Sequence, residues 1–377
     1  MPIQTYALTP GRLEKFKAQV IKATLVKEIL AKVGRQIQMP KNNSKTYQAR
    51  TWVPYAAKTG AQTSTENRNT RFTSAGNGGI DRAALVVTAH QSSDGVSSSS
   101  DTLVPIDYTA TMKAYECSYS FTRETQDLYE DDIPATMKEF LADRVSFVNE
   151  TINYAALRNC SNIFYGDTTV AATTVATSIA TVGNAVTLKM LRRIAKSLMA
   201  NSARPVSKLL KSGPDMQNVP VAPAFFVYIH TDLVSDLRAL GGNSTQTTGF
   251  FPVENYSNPG DAVPGEVGKM ENFRFIASPF WPALLQAGST TASSPNFVSA
   301  LGTNNDVYPM FVMGEDAYSQ IALRGQDVMQ TTFLPANVPS KSDIHGKRGY
   351  AGCYWYKATL IENDYWMALG YVCSASI

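Results

Sequence analysis

Apolar positions along the chain change period three times. Between residues 9 and 34, Leu13, Phe16, Val20, Leu25 (or Val26), Ile29 and Val33 recur at three-to-five spacing among lysines. That spacing predicts one amphipathic helix. Thr9 can cap it, Pro10 suits its first position and Gly34 its stop. Such a helix either packs on its own domain or reaches a neighbouring subunit as an arm. From residue 46 the period shortens to two. Tyr47, Ala49 and Thr51 alternate against Gln48 and Arg50, and a return strand follows with Ile106, Tyr108, Ala110, Met112 and Ala114. The phase then slips to Tyr115, Cys117, Tyr119 and Phe121, as at a β-bulge. Between the two strands lies a polar run, 59–101, with GNGG at 76–79 and QSSDGVSSSS at 91–100. The pattern predicts a projecting β-loop with no core of its own.

Helical spacing returns over 133–160, where Ile133, Met137, Leu141, Val145, Val148, Ile152 and Ala155 mark one line. Asp131 and Asp132 can cap this helix and Pro134 sits in its first turn. At that length it would run about 42 Å, far beyond an average helix. A Thr/Val/Ala-rich stretch follows as weak strand and turn. After 187 the pattern mixes helix and strand. LKMLRRIAKSLMANSARP predicts a helix ending before Pro205, AFFVYIHTD a strand, and LVSDLRAL a helix closed by Gly241. FRFIAS, YPMFVMG and YWYKATLIENDYWMALGYV read as strands, the last suggesting an antiparallel pair with one face covered. Two long polar loops, 241–264 and 286–305, interrupt this region.

Composition narrows the class. The 377 residues allow two or three folded units. Charged residues are 17% and hydrophobic ones 44%, which excludes wholesale disorder and hints that part of the surface is covered. No stretch approaches the roughly 20 apolar residues of a membrane span, and the N-terminus lacks a signal-peptide core. No membrane partner is expected, and the product should stay where it is made. Net charge is +3, but residues 1–50 hold ten Lys/Arg against two acids, +8, leaving −5 for the rest. That is a basic arm on a mildly acidic body. The arm lacks interleaved aromatics for base stacking, so any nucleic-acid contact would be through phosphate and blind to sequence.

Candidate chemistry is sparse. Cys117, Cys160, Cys353 and Cys373 form no C-x-x-C, and His90, His230 and His345 form no metal motif. No metal or other cofactor is expected. GNGG at 76–79 and GEVGKMENF at 265–273 lack phosphate-loop spacing and read as turns. No G-x-S-x-G elbow occurs. His230, after an apolar strand, is more simply a structural histidine than a catalytic one. No catalytic residue is nominated, and the chain is not expected to be an enzyme.

The order of parts (basic arm, long β-loop, one long helix, mixed α/β domain, C-terminal strands) resembles a tailed-phage major capsid protein of the Hong Kong 97-type fold. Encapsulins and the herpesvirus capsid floor share that architecture. Local sequence is similar to the N-four-type branch of these capsid proteins, in VTLKMLRRIAKSLMANSARP, GEVGKMENFRFIAS, VYPMFVMGEDAYSQIALRG and GYAGCYWYKATLIENDYWMAL. A Gly-Glu-x-Gly followed by an Arg-Phe strand falls at Gly265, Glu266, Gly268, Arg274 and Phe275. A Gly-x-Asp-Ala-Tyr falls at Gly314, Asp316, Ala317 and Tyr318. These family residues are structural. Where the family has a Leu-x-Glu-Gly-like step, this chain has Thr59-Gly60-Ala61-Gln62. The resemblance covers most of 46–377 and is strongest after 187.

The resemblance implies an α+β fold divided into an N-terminal arm (1–45), an E-loop (46–122) and a P-domain with its spine helix (123–186). An A-domain (187–349) and C-terminal strands returning to the P-domain (350–377) complete it. It implies a homo-oligomer of hexamers and pentamers in an icosahedral virion shell, assembled in the host cytoplasm. Packaged double-stranded DNA touched without sequence preference, a portal, a separate scaffolding protein and decoration proteins are the implied partners. Arg50, Trp52, Tyr55, Tyr108, Tyr115 and Tyr119 are the expected subunit-interface residues, since buried aromatics dominate interfaces. Lys58 is the only lysine between 46 and 112 and sits near the loop base, so no Lys–Asn cross-link is expected. Two other readings stand beside this one: an encapsulin-like compartment, and a β-rich hydrolase built from His230, His345 and distant acids.

Overall fold

The computed structural model describes residues 29–30, 33–40, 44–53, 104–128, 133–168, 175–201, 203–210, 218–240, 249–256, 262–263, 265–291, 296–323, 329–339 and 343–375. Along the chain run β1 (Arg35–Met39), β2 (Thr46–Val53), β3 (Val104–Thr111), β4 (Lys113–Thr122), α1 (Arg123–Leu128) and α2 (Ile133–Leu157). Then come β5 (Ile163–Tyr165), α3 (Leu188–Ala200), β6 (Val206–Leu210), β7 (Asn218–His230) and α4 (Val234–Ala239). They are followed by β8 (Phe251–Pro252), β9 (Glu266–Met270), β10 (Phe273–Ser278), β11 (Val307–Met313) and β12 (Tyr318–Leu323). Last are β13 (Met329–Leu334), β14 (Arg348–Ile361) and β15 (Met367–Cys373). Among the described residues no helix is long and apolar enough to cross a membrane.

Two sheets carry the molecule. The larger has the order β5-β15-β11-β7-β10-β9-β8, with β6 added on β7. Every residue of β11 and β15 is buried, as expected for strands covered on both faces. On one face, Met190, Leu191, Ile194 and Leu198 of α3 meet Phe225, Val227, Met310 and Val312. On the other, Phe226, Tyr228, Phe311 and Leu369 meet Trp281 and the α2 residues Tyr154 and Leu157. α3 forms where its sequence predicts. The Thr187 side chain accepts a hydrogen bond from the Met190 amide at 3.3 Å, an N-cap, and its apolar positions recur at helical spacing. Burying each such side chain stabilises the fold by about 1.5–3 kcal/mol.

The smaller sheet has the order β1-β12-β14-β13, with β4 on the free side of β14. α2 lies across β14 and β4. At 25 residues it spans about 38 Å. It stops at Leu157, short of the expected residue 160. The β2–β3 pair forms a separate two-stranded ribbon.

Several expectations are corrected. The phase slip after Met112 is not a bulge within one sheet. It is a change of sheet, because β3 pairs with β2 whereas β4 pairs with β14. β14 and β15 are not an antiparallel pair: β14 lies in the smaller sheet and β15 in the larger. Most of the helix expected over 9–34 lies outside the described residues. Its described end is bend at Ile29, 3-10 turn at Leu30, and turn and bend at Val33 and Gly34, not α-helix. Gly34 is required by close approach, since a Cβ there would stand 2.4 Å from the Tyr318 ring. Strands β12 and β13, inside the stretch expected to be A-domain, pair with β14 in the smaller sheet.

Candidate assembly surfaces

The ribbon is in continuous register from Thr46↔Thr111 to Val53↔Val104. Arg50 and Asp107 stand opposite each other. Arg50 Nε donates to Asp107 Oδ1 at 2.6 Å and its NH2 to Oδ2 at 2.8 Å, and Gln48 adds a bond at 3.3 Å. This two-pronged fork fixes geometry as well as charge. The Arg50 hydrogen bond, ahead of other causes, holds the Asp107 carboxyl below its ordinary value of 3.8.

The nominated interface residues are not gathered into one patch. Arg50 is exposed in the ribbon pair. Trp52 lies in β2, but its side chain is outside the described residues, as is all of Tyr55. Tyr108 is only 8% exposed and packs with Met39, Met112, Ile321, Ala358 and Leu360. It therefore serves its own chain's core and is not free to anchor another. Tyr115 stacks on Trp355 at 6.2 Å, and Tyr119 lies under the Arg144 guanidinium at 5.4 Å. Both are half-buried beside α2.

α2 presents an inverted surface. Its buried positions include Ser146, Asn149, Glu150 and Asn153, while Phe140 and Phe147 are 60% and 50% exposed. Leu141 and Val145 of the expected apolar line are buried, but Val148 and Ile152 are only half-buried and Ala155 is exposed. That part of the line, with Phe147, borders an open groove of about 630 Å3 whose far side is Thr109, Ala110, Ala358 and Leu360.

Asn149, Asn153 and Glu150 of the polar seam have specific partners. Trp355 Nε1 donates to Asn149 Oδ1 at 3.0 Å, and Thr359 Oγ1 donates to Asn153 Oδ1 at 2.7 Å. Glu150, 1% exposed, accepts from the backbone amides of Ile29 and Leu30 through one carboxylate oxygen, the latter at 2.9 Å. The Leu30 carbonyl in turn accepts from Tyr318 OH and from Gln320 Nε2, the latter at 3.2 Å. One fully buried residue of the N-terminal segment is thus clamped between the long helix and β12. Nothing in the sequence pattern singles out Glu150, although a charged residue amid Val145, Val148 and Ile152 was the available signal.

The family-motif residues build junctions. Glu266 makes a buried ion pair with Arg274 at 3.4 Å. It also accepts from the Val263 amide at 2.8 Å and from Tyr256 OH at 2.7 Å, tying the 241–264 loop's end to the β9–β10 hairpin. Gly265 turns with φ +85°, Gly268 faces the Phe250 ring, and Phe275 is in the core. Gly314, Asp316 and Ala317 form the step from β11 to β12, Asp316 at φ 56°. That step lies beside the return step from β14 to β15. The Gly314 amide donates to the Trp366 carbonyl at 2.9 Å, and the Glu362 and Asn363 amides donate to the Ala317 carbonyl at 3.0 and 3.1 Å. Two crossings between the sheets are therefore bonded into one junction, which Tyr318 extends to Leu30.

His230 is structural. Its Nδ1 accepts from the Asp232 amide at 3.2 Å and its ring packs on Tyr308 at 5.3 Å. His345 is exposed in the turn before β14. Among the described residues no group of three or more His, Cys, Asp or Glu is placed to hold a metal ion.

No protein-family model matches the chain. It aligns with the major capsid protein of Pseudomonas phage KPP21 at 23% identity over 190 residues, 49% of this chain and 47% of that protein. The alignment thus spans about half the length of that curated relative. The chain superposes on the capsid of Ralstonia phage GP4 with a TM-score of 0.54 at 11% identity, covering 91% of this chain and 87% of that one. For the capsid of Cyanophage P-SCSP1u the values are 0.52 and 9%, covering 92% and 89%. For the head of Helicobacter pylori bacteriophage KHP40 they are 0.51 and 12%, covering 98% and 92%. This chain has the α+β fold of phage capsid proteins.

Proposed function

We propose that this chain is the major capsid protein of a tailed double-stranded DNA phage, of the Hong Kong 97-type and its N-four-like branch. It self-assembles into hexamers and pentamers of an icosahedral virion shell and performs no catalysis. The observation that carries the reading is the likeness to phage capsids along about nine-tenths of the chain, joined by the sequence match to a major capsid protein. Surface chemistry supports it. The apolar groove along α2 and the exposed face of the β2–β3 ribbon are features that a neighbouring copy would cover. Arg50, Trp52, Tyr55, Tyr115 and Tyr119 would lie at or near that contact, with Tyr108 holding the ribbon base from inside.

In this reading the arm (1–45), E-loop (46–122), P-domain (123–186), A-domain (187–349) and returning strands (350–377) are the working parts, with 318–334 adding strands to the P-domain sheet. A separate scaffolding protein, a portal and decoration proteins complete assembly in the host cytoplasm. Packaged DNA is touched through phosphates without base readout. Many modest contacts repeated by symmetry would hold the shell.

The test is sedimentation velocity of the recombinant protein over a range of salt and concentration, with negative-stain imaging of the fractions. Rings, tubes or closed shells are expected. A monodisperse monomer under every condition overturns the reading. DNA within particles purified from a lysate separates a phage shell from a cargo compartment.

A further inference from the structure

Cys117 and Cys353 stand directly opposite one another in the β4–β14 antiparallel pair. Partners so placed have Cα atoms about 4.5–5.5 Å apart and side chains on one face. That lies inside the roughly 4.4–6.8 Å that a disulfide spans. Neither is in a disulfide in this structure. Cys117 is 3% and Cys353 2% exposed, and both sit under α2 against Leu141, Ala142 and Val145. The other two cysteines are placed differently. Cys160 Sγ donates to the Asn162 carbonyl at 4.0 Å and Cys373 Sγ to the Val182 carbonyl at 3.5 Å. The register partner of Cys373 is Val307.

Burial first, then the neighbouring Cys117, pushes the Cys353 thiol up to about 12, and burial raises Cys117 as well. Thiolate, the reactive form, is therefore scarce while the helix covers the pair.

We propose that Cys117 and Cys353 are a latent cross-strand disulfide, closed by a small peroxide oxidant when α2 lifts from the β4–β14 pair. One thiolate attacks hydrogen peroxide, giving a sulfenic acid and releasing hydroxide, which takes up the thiol's proton as water. The second sulfur then attacks the sulfenic sulfur, the S–S bond forms, and a second water leaves with the remaining proton. Two thiols and one peroxide thus give one disulfide and two waters. Each sulfur gives up one electron, and the O–O bond is the acceptor. The product staples β4 to β14, closing a long loop of chain between them. The inference does not depend on the capsid reading.

The test treats the full-length protein with hydrogen peroxide, natively and in urea below the main unfolding transition. Free thiols are then alkylated and a non-reducing digest is read by mass spectrometry. One peptide linking Cys117 to Cys353 is expected, reversible by dithiothreitol, with Cys160 and Cys373 alkylated. Its rate should rise roughly tenfold or more in sub-denaturing urea, as local opening exposes the pair. Cys117→Ala and Cys353→Ala should each abolish it. Sulfinic or sulfonic acid at either residue without a bridge, comparable bridging to Cys160 or Cys373, or no oxidation before global unfolding each overturns the proposal. The wild-type digest decides the matter alone if either variant fails to fold.

Discussion

In the eight-stranded sheet, β11 and β15 bury every residue, and the layers on both faces are apolar. Beneath α2 the burial is as deep, but beside Leu141, Ala142 and Val145 it takes in the polar Ser146, Asn149, Glu150 and Asn153. An apolar layer is held by volume and tolerates small slides, because dispersion and the hydrophobic effect have no direction. A hydrogen-bonded seam tolerates none, because each displaced donor or acceptor is left dry. The sheet thus supplies cohesion, and the seam fixes where the long helix and the N-terminal segment stand. In the shell proposed above, where every copy would present the same edges, the second task is separate from the first.

The strongest challenge to that contrast is Phe311→Ala. Phe311 is fully buried and meets Tyr154 edge-on at 5.6 Å and Trp281 at 6.4 Å. Truncation should cost about 3–5 kcal/mol, read by urea denaturation followed by circular dichroism. A cost below that of the seam variants would mean that cohesion does not reside in the sheet.

Glu150→Ala comes next. It leaves the Ile29 and Leu30 amides buried without their acceptor, and should cost about 2–3 kcal/mol. The telling readout is location. Limited trypsin digestion should free the segment before Ile29 roughly tenfold faster than in the wild type, while the sheet core stays protected. Glu150→Gln keeps an acceptor oxygen and should lose much less. Equal loss in both variants would show that charge, not hydrogen bonding, holds the clamp. Below this lies the Asn149–Trp355 bond. A double-mutant cycle with Asn149→Ala and Trp355→Phe should give a coupling of about 1 kcal/mol, and a coupling near zero would reduce the bond to mere proximity.

The same contrast explains what the sequence reveals. α3, β10 and β11 are legible because apolar residues point inward there. On α2 that assumption fails. The line through Val148, Ile152 and Ala155 reads as core, yet burial is centred on Asn149, Glu150 and Asn153, which periodicity counts as surface. Pairing is equally invisible. The slip after Met112 is plain in the sequence, but that it marks a change of sheet depends on β14, more than 200 residues away. Of the motif residues, Glu266 and Arg274 pair as opposite charges that the sequence displays, but the other partners of Glu266 and Tyr318 include the Val263 amide and the Leu30 carbonyl, which bear no chemical label.

The smallest effect is expected at the ribbon, where the Arg50–Asp107 fork stands in solvent rather than in a seam. Arg50 lowers the Asp107 pKa, so the contribution is fully present above the ordinary value of 3.8 and is lost as pH falls through the depressed value. Between about pH 7 and pH 5 the ribbon should therefore show no change, and it should loosen only in stronger acid. Hydrogen exchange in peptides covering 44–53 and 104–111 reads this directly, with Asp107→Asn compared at each pH to cancel intrinsic rates. The wild type should be the more protected near neutrality, and the two should converge once the pH has fallen below the depressed value. Added salt should narrow the gap, because both groups are exposed to screening. No gap even at neutral pH and low salt would place the protection in the strand ladder itself, making the ribbon depend on backbone pairing alone.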